Sequence, residues 1–492
     1  MSTPAATYLG IDLGTSAVKA LVMDQAGRVV AQASEPLTLQ RPRPGWSEQD
    51  PQEWWRATVS AVRALPAEAR GRVRAVGLSG QMHGAVLLDA TGQVLRPAIL
   101  WNDGRSAAQC AELERLVPDL RALTGNMAMP GFTAPKLLWV REHEPECFAR
   151  IATVLLPKDY LRFRFTGERL SDLSDAAGTL WVDVGRRRWA DSILAATGLT
   201  RAHMPRLIEG SDLGGSLTAM AADALGLNAV PVAGGAGDNA ASAVGMGLIA
   251  PGQAFLSLGT SGVLFVVNDR FAPNPDGGVH TFCHALPKLW HQMAVMLTAA
   301  GALDWASALC GYRDIPDAVA AASARGLQAQ TPLFLPYLHG ERTPHNDVSA
   351  RGTFFRLTPE TSAADLLVAV LEGVAHAFAD CLGVLEAAGG RVGEICVVGG
   401  GARVAYWLEL LAAALQRPLT LRAASEVGAA LGAARLAQLA ASGAAPESVC
   451  RPGDLVRTID PDPALVRRIG ARHPTFVELY RVLKPLYQEF PT

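Results

Sequence analysis

The sequence carries almost no net charge, because 44 basic residues stand against 46 acidic ones in a chain of 492 residues. No run of like charges stands out along the chain. A surface that binds a polyanion needs an excess of Lys and Arg on one face. The sequence therefore predicts no nucleic-acid partner.

No basic segment followed by an apolar one opens the sequence, so we expect no export signal. The longest apolar stretches contain charged residues or turn formers before the roughly 20 residues that a membrane-spanning helix needs. We therefore expect no membrane partner and a cytoplasmic location.

Paired cysteines and metal-binding motifs are missing as well. The seven cysteines are odd in number and scattered, with no Cys-x-x-Cys and no Cys/His set at metal-ligand spacing. This pattern argues against a disulfide framework and against a zinc site. We expect reduced thiols at all seven positions, which are 110, 147, 283, 310, 381, 396 and 450.

What the chain does have is length. Single hydrophobic cores stop growing at about 250–300 residues, so 492 residues predict two or more domains. Strands and helices alternate, which predicts an α/β fold with largely parallel sheets. We place a first domain at 1–247, a second at 248–440 and a helical extension at 441–492.

Both predicted domains follow the same plan. The first has a three-strand meander (8–12, 17–23 and 28–34), a helix that Asp50 caps and Pro51 begins, and a buried strand (73–81). The second has a strand, turn and strand (254–267), a helix (363–388), a strand (394–401), a helix from 405 and a small-residue helix (426–440).

The sequence Leu-Gly-Thr-Ser occurs twice, at 13–16 and at 258–261, each time between two apolar runs. A glycine in such a turn lets the backbone approach a ligand, and successive N–H groups with Thr and Ser hydroxyls suit a phosphate. One turn in each domain could hold one polyphosphate across a cleft. The alternative is that both are ordinary hairpin turns.

Only the first copy carries an acidic residue, since Asp12 corresponds to Ser257 in the second. A carboxylate is a hard oxygen ligand for the Mg²⁺ that accompanies a nucleotide. One cleft would bind one Mg²⁺, so only one turn needs the charge. The candidate nucleotide-site residues are Gly14, Thr15, Ser16 and Lys19 at the first turn, and Gly259, Thr260 and Ser261 at the second.

A third glycine turn lies at 397–402, between a buried strand and a helix. Gly400, Gly401 and Ala402 could admit an adenine and ribose near the amino terminus of that helix. Many α/β loops share this pattern, so an ordinary loop is the alternative.

Asp238 lies in Gly-Ala-Gly-Asp-Asn at the predicted domain junction, among small residues. Its carboxylate could accept a proton from a substrate hydroxyl while that oxygen attacks a γ-phosphorus. The alternative is a helix cap, because Asp is a favoured N-cap residue.

Two further loops carry side chains that suit a sugar. In Ser-Gly-Gln-Met-His-Gly, Met82 could form an apolar wall and His83 could donate to a polyol. In Ile-Leu-Trp-Asn-Asp-Gly-Arg-Ser, Trp101 and Asp103 combine an aromatic wall with a polar group. A structural histidine and an ordinary edge loop are the alternatives.

Taken together, these residues resemble the FGGY carbohydrate kinases over essentially the whole chain. The matching motifs are DLGTS, PGWSEQDPQEWW, SGQMHG, ILWNDGR, GNMAMPGFTAPKLLWV, LLPKDYLRFRFTG, SDAAGT, GAGDNAASAVG, LSLGTSG, FLPYLHGERTPH, LEGVAHAF and GGGAR. The resemblance implies two ribonuclease-H-like domains around a central cleft, with sugar mainly on the first and ATP mainly on the second.

SGQMHG and GERTPH are more specific within the family and imply ATP- and Mg²⁺-dependent phosphorylation of D-xylulose at O5. By the same resemblance Asp238 is the base and Asp12 the carboxylate near Mg²⁺. The implied sugar contacts are Met82, His83, Trp101, Asp103 and Asn239, and the implied nucleotide contacts include Gly259, Thr260 and Gly401.

Three alternatives stay open at this stage. The first is a kinase for another ketose or polyol, because a few pocket side chains decide which sugar binds. The second is an actin-like or chaperone-like ATPase that works on a protein partner, and the third is a sugar sensor without catalysis. A homodimer is an open possibility for the assembly.

Overall fold

The computed structural model describes residues 6–423 and 428–489. Strands of the first half are β1 (Thr7–Leu13), β2 (Ala17–Asp24), β3 (Val29–Pro36), β4 (Glu48–Gln49), β5 (Val73–Gly80), β6 (Val86–Leu88), β7 (Ala98–Ile99), β8 (Thr153–Leu155), β9 (Leu170–Asp172), β10 (Val182–Asp183), β11 (Arg188–Trp189), β12 (Arg206–Ile208), β13 (Leu213–Ser216), β14 (Pro231–Ala233) and β15 (Ala236–Gly237). Its helices are α1 (Pro51–Ala64), α2 (Ala67–Gly71), α3 (Ala107–Leu116), α4 (Leu120–Thr124), α5 (Thr133–His143), α6 (Pro145–Ala149), α7 (Pro157–Thr166), α8 (Leu173–Ala176), α9 (Asp191–Ala196), α10 (Ala219–Leu225) and α11 (Asp238–Met246).

Strands of the second half are β16 (Ala254–Leu258), β17 (Gly262–Asn268), β18 (His280–Cys283), β19 (Trp290–Met296), β20 (Leu333–Leu335), β21 (Thr353–Phe355), β22 (Ile395–Val398), β23 (Leu419–Arg422) and β24 (Leu455–Ile459). Its helices are α12 (Ala300–Leu309), α13 (Ile315–Arg325), α14 (Ala363–Ala387), α15 (Ala405–Leu415), α16 (Gly428–Ser442), α17 (Pro446–Val449) and α18 (Pro463–Glu489).

Each half is built on a seven-stranded sheet, and the two sheets share a core arrangement. The first has the order β13-β14-β5-β1-β2-β3, with β15 also paired to β5, and the second has the order β18-β19-β17-β16-β22-β23-β24. In each, an antiparallel meander continues into parallel strands: β1 runs parallel to β5, and β16 runs parallel to β22. This confirms the predicted α/β fold with two ribonuclease-H-like domains. The prediction of largely parallel sheets is wrong, because the meander strands and the edge strands pair antiparallel and make both sheets mixed.

The helix α1 shows how local sequence begins an element. The carboxylate of Asp50 accepts a hydrogen bond of 2.9 Å from the backbone N–H of Gln52, and Pro51 occupies the first helical position. Asp satisfies an otherwise unpaired donor there, and Pro has no N–H to lose. Trp54 on the inner face is fully buried. The predicted start of this helix is therefore confirmed.

The long helix α14 forms the centre of the second core. It is the one helix of the described residues that is long and apolar enough to cross a membrane, with a mean hydropathy of 1.6. However, 78% of the most apolar 18-residue stretch of this helix is buried inside the protein. The helix also contains the charged residues Glu372 and Asp380. The burial identifies α14 as a core helix of the second half.

The helix α16 belongs to the second half in sequence but packs on the first sheet, against β1, β5 and α11. Gly10 and Gly77 make this contact possible, since a Cβ on either would lie 1.9 Å and 1.8 Å from the carbonyl oxygens of Ala430 and Ala433. The predicted start of this helix at 426 lies outside the described residues. The domain boundary near residue 247 stays a prediction.

The extension after residue 440 contributes to the second half. The strand β24 pairs antiparallel with β23 at the edge of the second sheet. The sequence analysis missed β24, because four of its five residues are exposed and no alternating pattern marks it. The helix α18 packs on the second core through buried residues that include Ile469 and Phe476. All seven cysteines are free thiols, as predicted.

Candidate active site

A cavity of about 840 Å³ lies between the two halves. This volume is within the range of about 300–1,000 Å³ that small-molecule sites occupy. The lining comes from both sheets and from the helices between them, and it includes Asp12, Lys19, Ser34, Asn239, Ser242, Phe255, Ser257, Val398, Gly399, Gly400, Arg403 and Ala429.

Asp12 lies near the end of β1, where it faces the cavity. In the antiparallel register Asp12 is directly opposite Lys19 on β2, and the hydroxyl of Ser79 donates to its carboxylate at 3.1 Å. Burial raises the pKa of Asp12, while the Ser79 hydrogen bond and the charge of Lys19 act in the opposite direction. The arrangement presents one carboxylate to the cavity beside one cation.

Asp238 is the first residue of α11 and follows Gly237, which occupies the N-cap position without a side-chain cap. The carboxylate accepts hydrogen bonds from the backbone N–H of Asn239 at 2.7 Å and from its side-chain amide at 3.0 Å. Burial and then the negative charge of Asp12 raise the pKa of Asp238 to about 7, against the opposing effect of the Asn239 bonds. The pKa of Asp238 therefore lies near neutral pH. Asp238 is also not the N-cap residue, since Gly237 occupies that position.

In the first turn, side chains of the first half engage Thr15. Its hydroxyl donates to Gln81 at 3.0 Å and accepts from the indole N–H of Trp101 at 3.0 Å. The N–H of Gly14 bonds to the carbonyl of Ala17 at 3.0 Å. The turn is therefore held by its own domain, and Trp101, with 46% of its surface exposed, covers it.

In the second turn, backbone groups at the start of α12 provide the support. The carbonyl of Gly259 accepts from the N–H of Ala300 at 2.8 Å, and that of Thr260 accepts from Ala299 at 2.8 Å. The side chains of Thr260 and Ser261 are exposed. Their hydroxyls are consequently available to a ligand.

The third glycine turn contributes only part of what was predicted. Gly400 lines the cavity. Gly399 has a left-handed φ of +93°, and a Cβ there would lie 2.7 Å from the carbonyl oxygen of Leu258. Gly401 is buried against Leu258, and Ala402 packs toward the second core. Gly401 and Ala402 therefore shape the turn from behind rather than line the cavity.

Among the predicted sugar contacts, His83 has a left-handed φ of +68° and a buried ring. Its Nδ1 lies 2.6 Å from the carbonyl oxygen of Gly178, which can only accept, so Nδ1 carries the proton. Burial lowers the pKa of His83 to about 3, which keeps the ring neutral. Nε2 then carries no proton and can only accept a hydrogen bond, whereas the sequence analysis predicted that His83 donates.

Met82 and Asp103 have different surroundings. Met82 is buried, and a Cβ on Gly237 would lie 2.9 Å from its sulfur, so it packs beside the residue that precedes Asp238. Asp103 is buried 2.6 Å from the backbone nitrogen of Ser47 and 2.7 Å from the guanidinium of Arg105. The Asp103 carboxylate is thus already paired, and its role as a sugar contact stays a prediction.

Two functional candidates escaped the sequence analysis, although both lie in quoted motifs. The ammonium of Lys136 on α5 is buried and donates to the carbonyl of His83 at 2.9 Å, and burial lowers its pKa to about 7. The charge of Arg342 in GERTPH lowers the pKa of His83 and of His280, although burial is the larger cause in both. A lone charged residue inside an otherwise apolar motif is the signal that could have found Lys136, whereas the polar motif around Arg342 offers no such signal.

Comparison with known proteins gives a consistent result. The models of the FGGY family of carbohydrate kinases match the N-terminal domain at residues 7–245 and the C-terminal domain at residues 254–441. A xylulose kinase of Escherichia coli is 52% identical over 97% of this chain and 99% of that protein. A xylulose kinase of Klebsiella pneumoniae is 50% identical over 97% and 99%.

Among solved structures, a kinase of Brucella ovis described as a xyloylose kinase aligns with a TM-score of 0.95 and 51% identity. It covers 98% of this chain and 100% of its own. The two family matches together cover most of the chain, and each covers all or nearly all strands of one of the two seven-stranded sheets. The chain therefore belongs to the FGGY family of carbohydrate kinases.

Proposed function

We propose that this protein transfers the γ-phosphoryl group of ATP to O5 of D-xylulose, giving xylulose 5-phosphate. The observation that carries the proposal is a pair of half-buried carboxyls at the cavity between the two halves: Asp12 lines the cavity, and Asp238, whose pKa the charge of Asp12 raises, precedes the lining residue Asn239. Xylulose kinases at 50–52% identity over 97% of the chain support the choice of sugar.

Asp238 acts as the general base in this proposal. A carboxyl with a pKa near 7 is a stronger base than an ordinary one, yet a fraction of it is ionised at neutral pH. Asp238 would accept the proton of the sugar hydroxyl as that oxygen attacks the phosphorus. Positioning and charge neutralisation would supply most of the rate enhancement in such a transfer.

The residues around Asp12 fit a divalent cation. Two carboxyls whose negative charges oppose each other are relieved by a cation between them and the phosphates, and a carboxylate oxygen is a ligand that Mg²⁺ prefers. Asp12 would hold Mg²⁺ directly or through water. When bound, the ion supplies neutralisation of phosphate charge.

ATP would lie between the two turns. We propose Gly14, Ser16 and Lys19 on the side of the first turn, where Lys19 lines the cavity. Gly259, Thr260, Ser261 and Gly400 would serve on the other side, with Gly401 and Ala402 behind them. The exposed hydroxyls at the second turn can donate hydrogen bonds to phosphate oxygens.

The sugar would lie against the first half. His83 would accept from a hydroxyl through Nε2, Asn239 would orient Asp238, and Met82 would form the apolar wall. Trp101 and Asp103 complete the proposed set, together with the Thr15 hydroxyl that holds Trp101 in place. Cytoplasmic location and a homodimer stay predictions.

A panel of ketoses and polyols tests the proposal, with ADP release followed in a coupled assay. We expect the highest kcat/KM for D-xylulose and, in the product, phosphorus coupling on the C5 signal in carbon NMR. A clear preference for another sugar would move the assignment to another member of the family. Full ATP turnover without sugar would favour the ATPase alternative.

A further inference from the structure

A cluster of five buried charged residues lies in the first half, outside the cavity. We call it the buried charge cluster, and each of its side chains is 0% exposed. Its members come from α7, β9 and α8, and they are Lys158, Asp159, Arg162, Asp172 and Asp175. Charges are rarely buried so completely unless they are paired.

Lys158 occupies the centre of the cluster. Its ammonium lies 2.7 Å from Asp172 and 3.3 Å from Asp175, and it also bonds to Asp159. The three carboxyls are close enough together to hold a metal ion, but the ammonium already supplies the positive charge among them. The cluster is therefore an internal ion-pair network and not a metal site.

The cluster contains both signs of charge, since Lys158 and Arg162 are cations and the other three members are carboxyls. Burial and the negative charges of Asp159 and Asp172 raise the pKa of Asp175 well above its usual range, against the attraction of Lys158. A network of this kind fixes its geometry strongly, because breaking one pair leaves an uncompensated buried charge.

Two bonds connect the cluster to the loop that carries Asp238. The guanidinium of Arg162 donates to the carbonyl of Gly234. The hydroxyl of Ser174 donates to Asp172 at 2.5 Å and accepts from the N–H of Gly237 at 3.2 Å. A hydroxyl has one proton, so the bond to Asp172 turns its lone pairs toward Gly237.

The same short segment also supports the sugar side. Gly178, four residues after Ser174, accepts the Nδ1–H of His83 at 2.6 Å. A Cβ on Gly178 would lie 2.7 Å from the His83 ring and 2.8 Å from the methyl of Met82. The segment from Ser174 to Gly178 thus contacts residues on both sides of the proposed sugar site.

We infer that Ser174 is a positioning residue: the buried charge cluster orients its hydroxyl, which holds Gly237 and so places the carboxylate of Asp238 toward the acceptor hydroxyl. This inference rests on the proposed function, since it assigns a task to the base. Misplacement of a reacting group by 1 Å can cost about 10²-fold in rate.

Ser174→Ala tests the inference, with Ser171→Ala as its matched control. Ser171 is equally buried, and its hydroxyl bonds to Asp159 of the same cluster at 2.5 Å, but among the described residues it makes no hydrogen bond to the Asp238 loop. We expect Ser174→Ala to lower kcat at least about tenfold with a smaller change in the KM for xylulose. Ser171→Ala should change kcat by less than about twofold, which is the scale of a site without a catalytic neighbour.

Thermal melts and the pH profile of kcat/KM separate positioning from folding. Ser174→Ala loses two buried hydrogen bonds and Ser171→Ala loses one, so both should melt below the wild type, Ser174→Ala somewhat further. Only Ser174→Ala should shift the acid limb of the pH profile of kcat/KM, which we assign to ionisation of Asp238. Ser174→Cys, which keeps the size but bonds weakly, should repeat the loss of kcat and serves if the alanine variant does not fold.

The possible outcomes are distinct. Equal loss of kcat in the two alanine variants, or no loss in either, would overturn the inference while leaving the proposed function in place. Full turnover by Asp238→Asn would instead remove the base and overturn both. A selective loss in Ser174→Ala and Ser174→Cys, together with an inactive Asp238→Asn, supports the inference.

Discussion

The two Leu-Gly-Thr-Ser turns have identical letters but different registers. In the first, Leu13 is opposite Val18, so the four residues 14–17 form the turn. In the second, Leu258 is opposite Gly262, so the turn contains only the three residues 259–261. The first turn is therefore one residue longer, and the residues after it are shifted relative to their partners.

This shift decides which side chains share a face. Asp12 is opposite Lys19 in the first half, whereas Ser257 is opposite Val263 in the second. The first turn thus presents a charged pair to the cavity and the second presents none. The two turns are also supported differently, by side chains around Thr15 and by backbone groups beneath Thr260.

The comparison teaches a division of tasks. The first turn uses its hydroxyl internally and keeps a carboxylate in place, which suits the chemistry of a cation. The second turn is braced from behind and leaves its hydroxyls exposed, which suits the binding of phosphate.

Removal of the proposed base, Asp238, should have the largest effect on activity. Asp238→Asn keeps the size of the side chain but cannot take a proton, so we expect kcat to fall about 10²–10⁴-fold. Calorimetric binding of xylulose and the thermal melt at neutral pH serve as controls for site and fold. A folded variant that binds sugar and keeps more than about a tenth of the activity would contradict the role of Asp238.

An exchange of charge between the turns would break the comparison directly. Asp12→Asn should lower kcat/KM about 10²-fold, the scale of removing one electrostatic group from a reacting centre, and should raise the Mg²⁺ concentration that half-saturates the rate. Adding Ser257→Asp should not restore activity, because the second register places no Lys opposite that position. Recovery in the double variant, measured by Mg²⁺ titration, would show that the two turns are interchangeable.

Paired threonine variants sharpen the difference in support. Thr15→Val breaks two hydrogen bonds within the first half and should destabilise the protein by about 1–3 kcal/mol. Thr260→Val removes an exposed hydroxyl and should leave stability within about 0.5 kcal/mol while weakening ATP binding. Urea unfolding and calorimetry with a non-hydrolysable ATP analogue measure the two effects, and the same response in both variants would argue against the division of tasks.

The smallest effect concerns pH. Asp238 must be ionised to act, so kcat/KM should rise with pH through about 7 and level off above it. Asp12→Asn removes a negative charge that raises the pKa of Asp238, so the residual activity should show its acid limb at lower pH. An acid limb at the same pH in both proteins would mean that the two carboxyls do not interact.

The same pKa predicts a stability effect with a defined sign. The folded state favours the neutral form of Asp238, so this stabilisation is present below the unfolded pKa near 4 and is lost as pH rises through about 7. Asp238→Asn should therefore melt higher than the wild type at pH 8 and show a smaller difference at pH 5. Scanning calorimetry at both values checks the direction.

Much of the fold and part of the site were predictable from the sequence. The meander, the cap at Asp50 and the glycine turns depend on local chemistry, so residue identity was enough. The pairing of Asp12 with Lys19 depends on register, which identical letters cannot reveal. The strand β24 depends on an available sheet edge, and its exposed residues carry no pattern of their own.

The roles of polar groups were harder still, because they depend on partners distant in sequence. His83 became an acceptor only through the carbonyl of Gly178, 95 residues away. Lys136 and Ser174 contact residues in other elements, and their local sequences do not reveal those partners. Such positions become visible once the donor and the acceptor of each bond are known.

The glycines under α16 also determine how closely this helix can approach the first half. A carbonyl of α16 fills the space that a Cβ would take on Gly10. Gly245 of α11 meets the carbonyl of Gly428 in the same way, and in each case a Cβ would lie 1.9 Å from the carbonyl oxygen. Backbones that pack without an intervening Cβ resist sliding of one element along the other, because a shift would bring the Cβ atoms of neighbouring residues into the opposing backbone. Gly245→Ala would therefore force α11 and α16 apart, and with them the first sheet from the second half of the chain.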